Sequence, residues 1–148
     1  MRRRTFLGIA VAATLVATKV GAAVPVIEVY KSPTCGCCGK WVEHLRTSGF
    51  AVDVHDIPDV DAFRAKAGVP ATLAACHTAL VGGYVVEGHV PAADIWKLIA
   101  ERPKALGLAV PGMPAGSPGM DAPHASGYDV LLFQPDGTMR VYHAYSQT

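Results

Sequence analysis

The segment "SPTCGCCGKW", residues 32 to 41, puts Cys35, Cys37 and Cys38 within four positions, and a fourth cysteine, Cys76, is followed directly by His77. Two chemistries fit this crowding. Cys35 and Cys38 form a CxxC pair of the kind used in thiol–disulfide exchange, with Cys35 as nucleophile and Cys38 as resolving thiol. Cys37 then stands as a competing nucleophile that would scramble a clean dithiol switch. The same crowding favours a soft metal, because bridging thiolates suit Cu(I) and the cations offset repulsion among the sulfurs. A single tetrahedral Zn²⁺ fits adjacent cysteines less well. A purely structural disulfide is a third reading. A Cys35–Cys38 link closes a very short loop and removes little chain entropy, so only a bond to Cys76 would constrain much.

Other soft or borderline donors follow downstream. Met113 and Met120 lie in "AVPGMPAGSPGMDAPH", where a thioether buries little by itself and survives oxidising surroundings as a ligand. The alternative for both is that they plug an apolar surface beneath that loop. His89, in "VEGHVPA", falls at a strand-to-helix junction where it can ligate, cap or pack. His77 ranks below the sulfurs and His124 below His89. His44, His55 and His143 read as surface or packing residues. The Asp and Glu residues are scattered, with no acid–base pair and no hard-cation loop.

The elements that must position these residues are legible from their periodicity. "VPVIEVY" (24–30) is a short β-branched run and reads as a buried strand. Cys38, Trp41, Val42 and Leu45 then mark one face of a helix ending at Gly49. "FAVDVHDI" (50–57) alternates as a second strand, and Asp59 caps a short helix that turns Val60, Phe63 and Ala67 inward and stops at Gly68. A hairpin about Gly82-Gly83 follows, with Cys76 near its entrance. Pro91 opens a helix carrying Ile95, Leu98 and Ile99 that is halted at Pro103. Residues 103–127 hold 10 Pro or Gly among 25 and read as a long loop without secondary structure, pinned at both ends. "YDVLLFQPDGTMRVYHAY" closes the chain as a hairpin about Asp136-Gly137.

The order strand–helix–strand–helix–strand–strand–helix, with the cysteines at the first strand-to-helix turn, resembles the thioredoxin fold. The expected class is therefore α/β, a central mixed sheet flanked by helices, with the Pro/Gly/Met-rich loop and the last hairpin added. A cysteine at a helix N-terminus faces unpaired N–H groups and the positive end of the helix dipole, which stabilise a thiolate.

The N-terminus is read separately. "MRRRTFLGIAVAATLVATKVGAA" (1–23) has a basic start, an apolar run too short for a stable membrane anchor, and small residues at Gly21-Ala22-Ala23. Arg3-Arg4-Thr5-Phe6-Leu7 fits a twin-arginine export signal, with cleavage expected near Ala22 or Ala23. Residues 24–148 then form one domain. Setting aside Arg2, Arg3, Arg4 and Lys19 leaves 9 of the 13 basic residues against 12 acidic ones, a formal −3. That balance offers no basic patch for nucleic acid, and no second apolar stretch could hold a membrane.

Three motifs in sequence order carry a family resemblance: "PTCGCCGKWVEHL", "GVP…CHTALVGGYVVEGHVPAADI" and "GLAVPGMPAGSPGM". The chain resembles the CopG-type family of exported, thioredoxin-like bacterial metal-binding proteins over about Val26 to Tyr145. The resemblance implies copper as the metal, a link to copper resistance, and a thiolate site made by Cys35, Cys37, Cys38 and Cys76, with redox activity. Its expected partners are copper ions and other periplasmic copper-handling proteins. His89, Met113 and Met120 are expected as a second tier of ligands.

Overall fold

The computed structural model describes residues 23–120, 122 and 124–146. The expected export signal falls on residues 1–22, outside the described residues, apart from Ala23. Strands β1 (Ile27–Lys31), β2 (Val52–Asp56), β3 (His77–Val81), β4 (Tyr84–Glu87), β5 (Gly107–Ala109), β6 (Tyr128–Phe133) and β7 (Met139–Tyr145) make a single sheet in the order β2-β1-β3-β4-β5-β6-β7. The β1–β2 and β4–β5 pairs are parallel and the others antiparallel. Helices α1 (Gly36–Thr47), α2 (Val60–Lys66) and α3 (Ala92–Glu101) complete the mixed α/β architecture, with a short 3-10 turn at Ala71–Leu73. Among the described residues, no helix is long and apolar enough to cross a membrane.

The sheet has a core on each face. Val86 and Leu108 pack with Trp41, Leu45, Ile95 and Leu98, which places α1 and α3 over one face. Val85 and Ala109, their immediate chain neighbours, pack instead with Val69, Leu73 and Phe133. Successive side chains of a strand point to opposite faces, so this second cluster lies on the other side of the sheet. The face read for α1 is the one buried: Cys38, Trp41, Val42 and Leu45. Asp59 caps α2 as expected, accepting from the Ala62 N–H at 2.8 Å.

The 103–127 stretch departs from expectation. It is not devoid of secondary structure, because β5 lies within it and joins the two halves of the sheet. The strand is set by its neighbours rather than by its own propensity. A Cβ on Gly107 would fall 1.7 Å from the Val85 carbonyl oxygen, so only glycine lets the backbones approach this closely. Beyond β5 the chain is tied down repeatedly: Val110 N donates to Glu87 O, Gly112 N to Ala74 O, and Ser126 N to Ala115 O.

Candidate metal centre

The turn between β1 and α1 carries three of the sulfurs. Cys35 is the N-cap of α1 and uses no side-chain cap, so the first-turn amides point toward the cysteine turn. Cys35 and Cys38 are joined in a disulfide, whereas Cys37 and Cys76 are free thiols. Cys38 sits at the base of the site, fully buried on the apolar face of α1. Cys76 comes from the residue just before β3, and because β3 pairs with β1 it is brought beside the turn. Cys37 Sγ lies 3.6 Å from Cys35 Sγ and 4.0 Å from Cys76 Sγ, and Cys38 Sγ lies 3.7 Å from Cys76 O. All four sulfurs fall within 4.8 Å of one another.

Two imidazoles extend this set. Cys76 Sγ is 2.9 Å from His89 Nε2 and 3.5 Å from His77 Nδ1, and these three donors form a second group of metal-ligating atoms within 4.8 Å. His89 Nδ1 donates to Pro118 O at 2.6 Å. That bond leaves Nε2 of the neutral ring bare and aimed at the sulfur, the arrangement by which a backbone carbonyl orients a ligating histidine. His77 is completely buried, its ring 4.2 Å from Trp41 and 5.1 Å from His89 between centroids. Its Nε2 is buried with no hydrogen-bond partner among the described residues.

Burial decides the protonation states. It pushes His77 down to about 3, with the neighbouring His89 adding to the effect. His89 is lowered too, burial outweighing the opposing pull of the Pro118 carbonyl. Cys76 is pushed up to about 12, by burial first and then by Cys37 and Glu87. In the metal-free site the two imidazoles and the Cys76 thiol are therefore held neutral, and a cation that binds Cys76 displaces its proton.

The Met loop lies against the same turn. Gly119, at φ +89°, sits so close to α1 that a Cβ would come within 2.8 Å of Trp41 N and 3.0 Å of Cys37 O. Met120 follows directly and is half-buried, its N–H donating to Ser117 O. Met113 is 54% exposed, and His124 is exposed. The two methionines of the loop thus sit in different surroundings. A surface groove of about 690 Å³, lined by Asp61, Arg64, Pro70 and Asp136 among others, includes none of the cysteines. The site is a cluster of donors beside the Met loop.

Beneath Cys76 runs a buried ionic network that spacing along the chain did not reveal. Glu87 Oε1 accepts from Ala75 N at 2.8 Å and from Arg64 Nε at 2.6 Å, and Oε2 accepts from Thr78 Oγ1 at 2.6 Å. Arg64 also donates to Ala75 O and to Asp61. Burial works against the Arg64 charge, but Glu87 and Asp61 outweigh it and hold the guanidinium protonated.

Two solved structures are similar to this chain over nearly their whole length. Copper resistance protein CopG, form 1, is 44% identical with a TM-score of 0.77, covering 82% of this chain and 98% of that one. Form 2 is 43% identical with a TM-score of 0.78 and the same coverage. The chain belongs to the CopG family. The family model described as a protein of unknown function, DUF411, matches residues 73–120, the segment of this CopG-family chain that runs from just before Cys76 through Met120. No curated protein matches the chain.

Proposed function

We propose that this protein is a periplasmic copper-resistance protein that holds Cu(I) in a multi-thiolate site on a thioredoxin-like scaffold. Residues 24–148 would be the exported domain. Cys35, Cys37, Cys38 and Cys76 would supply the bridging sulfurs, with His89, Met120 and Met113 as further donors. One observation carries this reading: four soft donors from two separated segments converge within 4.8 Å. Donor chemistry fits the ion, since thiolate and thioether ligands select Cu(I) over harder cations. His77 fits as well, since it is fully buried and its Nδ1 lies 3.5 Å from the Cys76 sulfur. Kinship with a copper resistance protein supplies the choice of copper among soft metals.

Engaging all four sulfurs requires the reduced form. The Cys35–Cys38 disulfide must take up two electrons and two protons to become a dithiol before both sulfurs can ligate. Protein isolated anaerobically and reduced is expected to carry copper and to lose it in Cys76→Ser, measured by metal analysis beside thiol titration. Unchanged copper content in that variant would remove Cys76 from the site.

The disulfide supports a second reading, a thiol–disulfide oxidoreductase that uses Cys35 at the start of α1 and Cys38 behind it. That activity needs no metal and survives Cys37→Ser. The copper site does not, because Cys37 is the sulfur standing between Cys35 and Cys76.

A further inference from the structure

Ala75 is gripped on both sides by one ion pair. Its N–H donates to Glu87 Oε1, and its carbonyl, half of the peptide bond to Cys76, accepts from Arg64 Nη2. Glu87 is fully buried on β4 and Arg64 is 5% exposed on α2, so two elements that carry none of the sulfurs converge on the backbone just before Cys76. Thr78 adds a third tie, donating to Glu87 Oε2 from the far side of Cys76. The opposite flank is closed by Gly88, where a Cβ would come within 2.6 Å of the Ala75 Cβ and 2.5 Å of Val110 O.

A buried ion pair is a poor way to gain stability, since desolvation offsets most of the attraction and an apolar pair of similar volume does as well or better. Each of its hydrogen bonds to backbone here ends within one residue of Cys76. The alternatives to a fixed Cys76 are also visible. Without these ties the backbone between the Ala71–Leu73 turn and β3 keeps, from outside, Gly112 N on Ala74 O and the weak contact of Cys38 Sγ with Cys76 O among the described residues.

We propose that Glu87 and Arg64 are positioning residues for Cys76: their ion pair clamps the Ala75 backbone and thereby sets the Cys76 sulfur against Cys37 and His89. The role of the clamped sulfur as a ligand rests on the copper reading above. The clamp itself does not.

The test is therefore made with two readouts. In the protein with the Cys35–Cys38 disulfide intact, Cys37 and Cys76 are the two free thiols, 4.0 Å apart. A short bifunctional thiol cross-linker bridges them in the parent, and the yield is scored by mass spectrometry of the mapped peptides. The double variant Arg64→Met/Glu87→Leu removes both charges together and avoids stranding either one. It is expected to keep a cooperative melt while the Cys37–Cys76 cross-link falls at least about threefold and Cu(I), read by competition with a chromophoric chelator, is released at least about tenfold more readily. A folded double variant with the parent's cross-linking yield overturns the proposal. Should that variant fail to fold, Arg64→Lys decides: it keeps the charge beside Glu87 but lacks the planar fork that reaches Glu87 and Ala75 O at once. Loss of cross-linking in folded Arg64→Lys supports the clamp, and parental yield refutes it. A parent that cross-links but takes up no copper sinks the copper reading and leaves the clamp standing.

Discussion

Glu87 and Asp94 are both carboxylates drawn out of water, and each is met by groups from distant parts of the chain. Glu87, at the end of β4, faces Arg64 from α2, Thr78 from β3 and the Ala75 amide. Asp94, in the first turn of α3, accepts from His143 Nδ1 at 2.8 Å and from Tyr145 OH at 2.7 Å, both on β7. The two differ in what lies beyond their partners. Arg64 is enclosed and, besides the exposed Asp61, bonds the backbone carbonyl just before Cys76, whereas the His143 side chain is itself 47% exposed. One carboxylate holds the Ala75 amide just before Cys76, and the other fastens the closing hairpin to a helix. The same chemistry meets the backbone beside a cysteine when it sits on the central strand, and attaches the edge strand β7 when it sits on α3.

The largest effect expected from breaking this contrast is in Glu87→Ala. Removing the carboxylate leaves the Arg64 guanidinium buried beside an unanswered Ala75 amide, a change that costs about 3–5 kcal/mol. Denaturant unfolding of the metal-free protein should show it as a large drop in midpoint. A cost below that of the Asp94 variant would reverse the order argued here.

Asp94→Asn should cost less, about 1–3 kcal/mol, because the amide still accepts one hydrogen bond and the half-exposed His143 can turn to water. Copper content of the reduced protein should be unchanged, since every contact of Asp94 leads to the hairpin. Metal analysis of Asp94→Asn beside Arg64→Met/Glu87→Leu sharpens the comparison directly. Loss of copper in the Asp94 variant would mean that the hairpin end also shapes the site.

Legibility followed the range of the interaction. Helix α1, its buried face, the Asp59 cap and both hairpins were readable because their signals sit within one turn or one strand. That Cys76 joins the CGCC turn was implied by the family resemblance, and the β1–β3 pairing brings it about. Strand β5 escaped because a three-residue strand that opens on Gly107 carries no periodicity, and its pairing is imposed by Val85. Neither the Arg64–Glu87 pair nor the His89–Pro118 bond leaves a trace in spacing, since each joins residues more than 20 positions apart. His77, ranked below the sulfurs from sequence, lies fully enclosed beside Cys76, and nothing local in the sequence distinguishes it from a strand residue facing water. His143, read as a surface or packing residue, bonds Asp94.

The smallest effect belongs to His44, another histidine read as surface or packing. Its Nε2 accepts from the Ala92 N–H at 3.0 Å, so a residue of α1 caps α3, whose own N-cap Pro91 offers no side-chain acceptor. The contact belongs to the same first turn as Asp94, and ties the cysteine-bearing helix to the helix that fastens the hairpin. Burial lowers the His44 pKa, so the fold favours the neutral ring. The contribution is then fully present above the unfolded value of about 6.5 and is lost as pH falls below it, because the unfolded chain takes up the proton first. A protonated ring cannot accept the Ala92 bond and sets a positive charge at the positive end of α3. His44→Gln keeps an acceptor but does not titrate. Unfolding of the metal-free parent and variant at about pH 7.5 and about pH 5.5 should show the parent losing more stability, by no more than the one bond at stake, about 0.5–1.5 kcal/mol. His77 and His89 are lowered in both proteins and cancel in the difference. Equal losses in the two proteins would mean that the α1–α3 tie contributes nothing to the pH response.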